Sequence, residues 1–192
     1  MTTRAEEERL HPGGRGEWRA WLAEHHDRPD GVWLVLWRQR SGRAGLTYEE
    51  AVEEALCFGW IDGKAAGLDD ERTMLRFSPR KRGSGWARSN KLRVERLLAE
   101  GLMAEPGLAL IEEAKRDGSW TRLDAVEDLV VPDDLAAALA AHPGARETWD
   151  GFPRSVRRAA LARIVEAKRP TTRARWVAET ARRTARGERP VQ

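Results

Sequence analysis

Val32-Trp33-Leu34-Val35-Leu36-Trp37 is the stretch on which the fold depends. Six consecutive β-prone, apolar side chains leave no polar face, so the run predicts a central strand covered on both sides. Trp33, Val35 and Leu36 should then be nearly fully buried, together with Leu56 from the following helix. Upstream, Pro29-Asp30-Gly31 stops a short helix over 17–26, in which Trp18, Trp21 and Leu22 recur at helical spacing. Further back, residues 1–14 read as a flexible tail ended by Pro12-Gly13-Gly14. Downstream, Ser41 to Gly45 is a turn, and Thr47 with Glu50 forms a capping box. The helix it opens buries Ala51, Val52, Ala55 and Leu56 and stops at Gly59. Strands over 60–65 and 72–78 follow, joined by the turn at Leu68-Asp69-Asp70-Glu71 as a hairpin.

After Pro79 the sequence is helical in character. Helices are predicted near 89–100 and from Pro106 to Gly118, with a less regular connection over 120–131. Four more are predicted over 133–142, 144–150, 154–168 and 171–186, punctuated by Pro132, Pro143, Pro153 and Pro170. The sum is an α+β protein: a small, mainly antiparallel sheet of about three strands covered by helices, with a C-terminal helical bundle. Its expected organisation is an α+β domain over 15–120 with a helical region over 121–192 packed on it.

Composition narrows the function classes. Of the 192 residues 41% are apolar and nine are Trp, enough to bury a sizeable core. Cys57 is the one cysteine, set between Leu56 and Phe58, and reads as a small buried hydrophobe rather than a nucleophile. No long uncharged apolar window predicts a membrane helix, and the polar opening residues do not resemble a secretory signal; a cytoplasmic setting is expected. His25 and His26 are adjacent, so their rings diverge on a helix, and His11 and His142 have no ligand at useful spacing. No metal or cofactor is expected. Phosphate-loop, dinucleotide and nucleophile-elbow patterns are absent, and no catalytic residue stands out. Charge alternates along the chain: residues 76–96 hold 8 basic side chains against 1 acidic, and residues 151–192 hold 12 against 3. Between and before them the chain is acidic, so the blocks either neutralise one another or present a basic face to an anion.

Two segments carry candidate ligand-binding residues. Trp60, Asp62 and Lys64 stand at the helix-to-strand junction, and Asp62 and Lys64, two apart, share a face if the strand is regular. The basic, glycine-containing loop after Phe77 adds Arg80, Trp86 and Asn90, just before a helix start where backbone N–H groups favour anions. An antiparallel hairpin sets 78–80 opposite 60–63. Arg80 could then grip an oxyanion with Asp62 holding its guanidinium, or the two could form a plain structural ion pair. The bland alternatives are a core role for Trp60 and Trp86.

The sequence also resembles a known family. Trp18-x-x-Trp21-Leu22, His26 and Gly31-Val32-Trp33-Leu34 open the match, which covers roughly 15–187. Its central block is Leu46 to Ala51, Glu54 to Gly63, Phe77-Ser78-Pro79-Arg80, Ser84-x-Trp86, Asn90, Gly101-Leu102-Met103 and Gly118-x-Trp120. Pro132-Asp133-Asp134-Leu135, Pro153-Arg154-Ser155-x-Arg157-Arg158 and Ala167-Lys168-Arg169-Pro170-x-Thr172-Arg173 continue it. These residues resemble the YdeI/OmpD-associated, or bacteriocin-protection, proteins. Gly63 and Ala87 depart from that pattern, where Ser is usual. The resemblance implies resistance to bacteriocin, antimicrobial-peptide or envelope stress, and carries over no catalytic residues.

Together these features point to a non-enzymatic cytoplasmic binding protein that engages a small anionic ligand or a protein partner and does not insert into membranes. The alternative is a nucleic-acid-binding protein using the basic segments 76–96 and 154–189.

Overall fold

The computed structural model describes residues 8–191. They divide into two compact units. One holds the described residues up to Gly83 with Ser89–Arg116; the other holds Ser84–Arg88 and the described residues from Asp117 on.

In the first unit, β2 (Val32–Trp37) forms where its apolar run predicts and lies inside the sheet. Its neighbours are β1 (Arg9–Leu10) and β4 (Arg72–Pro79), with β3 (Trp60–Gly67) beyond β4. The α+β class holds, but among the described residues the sheet has four strands and is mixed, not three and mainly antiparallel. β1 runs parallel to β2, while β2–β4 and β3–β4 are antiparallel. A two-residue strand has no alternation to read, which is why it escaped the sequence pattern. It is attached through its backbone: Arg9 pairs with Trp33 and Leu10 with Leu34, and the Trp33 N–H donates to the Glu8 carbonyl at 2.9 Å. Of the tail expected over 1–14, residues 1–7 lie outside the described residues.

Val32, Leu34, Val35 and Leu36 are buried, but Trp33 is only half-buried, as is Trp37. β4 sets Arg76 directly across from Trp33 and Arg72 across from Trp37. Long cationic side chains keep their heads in water and hold that face of the sheet partly open. Four helices complete the unit: α1 (Arg15–His25), α2 (Tyr48–Cys57), α3 (Arg88–Ala99) and α4 (Glu105–Arg116). The predicted capping box is present at α2: Thr47 Oγ1 accepts from the Glu50 N–H, and Glu50 Oε2 accepts from the Thr47 N–H. α2 packs on α1, β3 and α4. Two core indoles satisfy their N–H groups on carbonyls, Trp18 on Ala51 at 3.0 Å and Trp60 on His26 at 2.9 Å. On α3, Val94 and Leu97 are buried and Leu98 is exposed.

The second unit is helical. α6 (Asp133–Ala140), α7 (Ala145–Gly151), α8 (Arg154–Val165) and α9 (Pro170–Ala185) lie close to their predicted spans. A short α5 (Asp124–Glu127) sits in the stretch expected to be irregular. α9 packs on α6, α7 and α8 around Leu135, Leu139, Trp149, Leu161, Ile164 and Val177.

Candidate functional site

A cleft of about 970 Å³ opens in the first unit where β2 ends. Leu36 and Trp37 of β2, with Thr73 and Leu75 of β4, form one side. The loop from Arg38 to Thr47 and the first turn of α2, Tyr48 and Glu49, form the other. The lining is mainly apolar, with a few polar groups converging at its mouth, the usual composition of a small-molecule site. Trp37 is its aromatic wall. The His11 ring meets it edge-on at 4.9 Å, and the Arg43 guanidinium lies 4.7 Å from its ring centre. The loop comes so close that a Cβ on Gly45 would sit 2.9 Å from Trp37 Cδ1; only glycine fits there.

The charges around this cleft are unevenly compensated. Both Glu49 oxygens are taken by Arg93, from Nε at 2.8 Å and Nη2 at 2.7 Å, and this bidentate grip holds the Glu49 carboxyl below its ordinary range. Arg43 pairs with Glu71 at 3.2 Å. Arg38 is different. Its Nε donates only to a backbone carbonyl, that of Asp69 at 3.3 Å, and no carboxylate of the described residues pairs with it. The cleft therefore keeps one uncompensated guanidinium. Tyr48 donates its hydroxyl to Asp62 Oδ2 at 3.0 Å, and burial together with that bond pushes its phenol up. Near neutral pH it is a hydrogen-bond donor, not a base.

The residues singled out from sequence occupy several different settings. Trp60 is fully buried, edge-on to Trp21 at 5.7 Å, and serves the core. Asp62 is half-buried and reaches the cleft indirectly, through Tyr48. Lys64 is exposed. The ladder register slips between Asp62 and Ala65, so the regular alternation that would put Asp62 and Lys64 on one face is broken. The hairpin register is as predicted, with Trp60 opposite Pro79 and Asp62 opposite Phe77. Arg80 is buried, and its backbone N–H donates to the Gly59 carbonyl at 2.9 Å. Asn90 is buried on α3, where its Oδ1 accepts from Arg93 Nη1 at 3.0 Å and so steadies the guanidinium on Glu49. Trp86 belongs to the second unit, at 2% exposure, with its ring 4.9 Å from that of Trp120. So buried a ring offers no open stacking face. Cys57 is buried, which pushes its thiol up and away from nucleophilic use.

Trp37, Arg38 and Tyr48 were not anticipated as a site. The signal was present: a Trp, arginines and glycines followed by a helix cap, the same combination that drew attention to 77–91.

Residues 10–110 match the family model of a domain of unknown function (DUF8412), and residues 128–187 match that described as bacteriocin-protection, YdeI or OmpD-associated. The chain carries a YdeI/OmpD-associated segment over residues 128–187, and more than half of its length belongs to the domain of unknown function. No curated protein and no solved structure matches it. The YdeI/OmpD-associated match falls on α6 to α9, whereas most of the central block that carried the resemblance, and the cleft, fall within the other model. Among the described residues, no helix is long and apolar enough to cross a membrane.

Proposed function

We propose that the first unit is a binding domain for a small amphipathic anion, held in the Trp37–Tyr48 cleft. The observation that carries this reading is the cleft itself, with an aromatic and aliphatic lining and, at Arg38, a cation without a carboxylate. An apolar or planar body would cover Leu36, Leu75 and Trp37, while an oxyanion would take the Arg38 guanidinium. The Tyr48 proton is held by Asp62, so Tyr48 serves the cleft as part of its lining. A protective role against bacteriocins is carried over from the family description, and a cytoplasmic setting accords with a buried, unpaired cysteine.

The test uses 1-anilinonaphthalene-8-sulfonate, a planar sulfonate that brightens in apolar sites. Saturable binding to the wild type is expected, with Arg38→Ala weakening it about tenfold, the loss of one charge-assisted hydrogen bond. Trp37→Ala should also lower the affinity. Equal affinity in wild type and both variants would sink the proposal.

A further inference from the structure

The basic side chains of residues 151–192 fall into two groups. Half of them meet a carboxylate. Arg154 and Arg158 lie against Glu127, Arg173 holds Asp134, Arg182 pairs with Glu179, and Arg183 and Arg186 reach Glu188. Arg163, Lys168, Arg169 and Arg175 are exposed and pair with no carboxylate of the described residues. These four fall together, at the end of α8, in the turn, and at the start of α9. Arg157 and Arg189, also without a carboxylate, stand at the opposite ends of the two helices. Glu166 is the acidic residue of the same corner, so the cations there are in excess.

Two of the four are held by an aromatic ring. The Arg163 guanidinium carbon lies 3.2 Å from the Trp176 ring centre and that of Arg175 lies 4.3 Å from it. A guanidinium held over a ring by cation–π attraction spends no N–H donor on a carboxylate. Its N–H donors lie in the plane and stay free for an oxyanion. A carboxylate partner, as at Arg173, would have consumed them. The indole thus positions two flat cations while leaving their edges unused, at little further cost in side-chain entropy.

We propose that this α8–α9 corner binds single-stranded nucleic acid. Phosphate oxygens would take the edges of Arg163 and Arg175 and the charges of Lys168 and Arg169. An unstacked base would lie on the guanidinium–indole platform. The alternation of anionic and planar groups along a single strand matches that pairing. A duplex hides its base faces, and an acidic peptide offers nothing flat to stack. The site is separate from the Trp37–Tyr48 cleft, in sequence and in structural unit, and does not depend on it.

Fluorescence anisotropy of the full chain with a labelled oligothymidylate 20-mer tests the proposal. Binding at low salt is expected, weakening as salt rises with a log–log slope of about −0.7 per phosphate contacted. The double variant Arg163→Ala/Arg175→Ala should bind about tenfold more weakly, while Arg182→Ala, whose residue is paired elsewhere, should bind like the wild type. Arg163→Lys/Arg175→Lys keeps the charge and loses the flat stack; it should keep the salt slope yet lose affinity. Thermal melting of each variant checks that it folds. Absence of binding at low salt, or equal affinity in the double alanine variant, would overturn the proposal. So would a polyglutamate of equal length that binds this corner as tightly, since that outcome assigns it to an acidic protein partner.

Discussion

At the scale of single residues, Glu54 of the first unit is a buried carboxylate held by two arginines. It is 2% exposed and takes Arg15 Nε at 2.5 Å and Arg19 Nη1 at 2.6 Å, while the neighbouring buried Glu53 takes Arg15 and Arg96. Glu54→Ala should lower stability by about 1.5–3 kcal/mol, the usual loss for hydrogen bonds between charged groups. The loss stays below that of a fully stranded buried ion because both arginines are about one-third exposed and can turn to water. Urea denaturation gives the value; a loss below about 0.5 kcal/mol would mean that the cluster contributes nothing net. None of this was legible in sequence. Glu53 and Glu54 look like solvent-facing helix acids, and their partners stand on helices more than thirty residues away. The Thr47–Glu50 box was legible because both its halves lie within one turn.

At the scale of elements, β2 and α2 were readable and β1 was not, for the same reason. Six apolar residues or a capped helix announce themselves, whereas Arg9 and Leu10 are a strand only because Trp33 and Leu34 lie beside them. The cleft escaped in a similar way. Trp37, Tyr48 and Thr73 converge only once the sheet is paired, with Leu36 opposite Thr73. Two predictions belong here. Leu56, 1% exposed on α2, should cost about 2–5 kcal/mol when replaced by Ala, through the cavity it leaves. Gly107 tests the contact between α2 and α4. A Cβ there would lie 2.3 Å from the Cys57 carbonyl oxygen and 2.8 Å from that of Leu56, both backbone atoms that cannot swing aside. Gly107→Ala should therefore destabilise by about 1–3 kcal/mol through overpacking, although alanine is the better helix former. A stabilised variant in a thermal melt would mean that α4 is not seated so closely.

Across the whole molecule, the distribution of charge sets the response to acid. The Arg93 guanidinium holds Glu49 below the ordinary carboxylate range, and Arg173 does the same for Asp134 in the other unit. Between the lowered folded values and the ordinary unfolded ones, the unfolded chain binds more protons than the folded one. This stability is thus complete above about pH 4–5 and is lost as pH falls through the folded values. Melting temperatures should be flat from pH 7 to 5 and decline below about 4. The double variant Glu49→Gln/Asp134→Asn should start lower and decline less steeply; an unchanged profile would show that these pairs do not act. The loop Ser84–Arg88 has a further consequence. It is flanked by first-unit residues on both sides, yet Trp86 rests on Trp120 and Arg88 on Asp128. Neither unit is therefore one uninterrupted length of the gene. A recombination event near codon 117 would deliver the C-terminal two-fifths without the five residues that complete it. Inheritance of the two family segments should be joint, and substitutions at Trp86 and Arg88 should be answered at Trp120 and Asp128 in the same lineage.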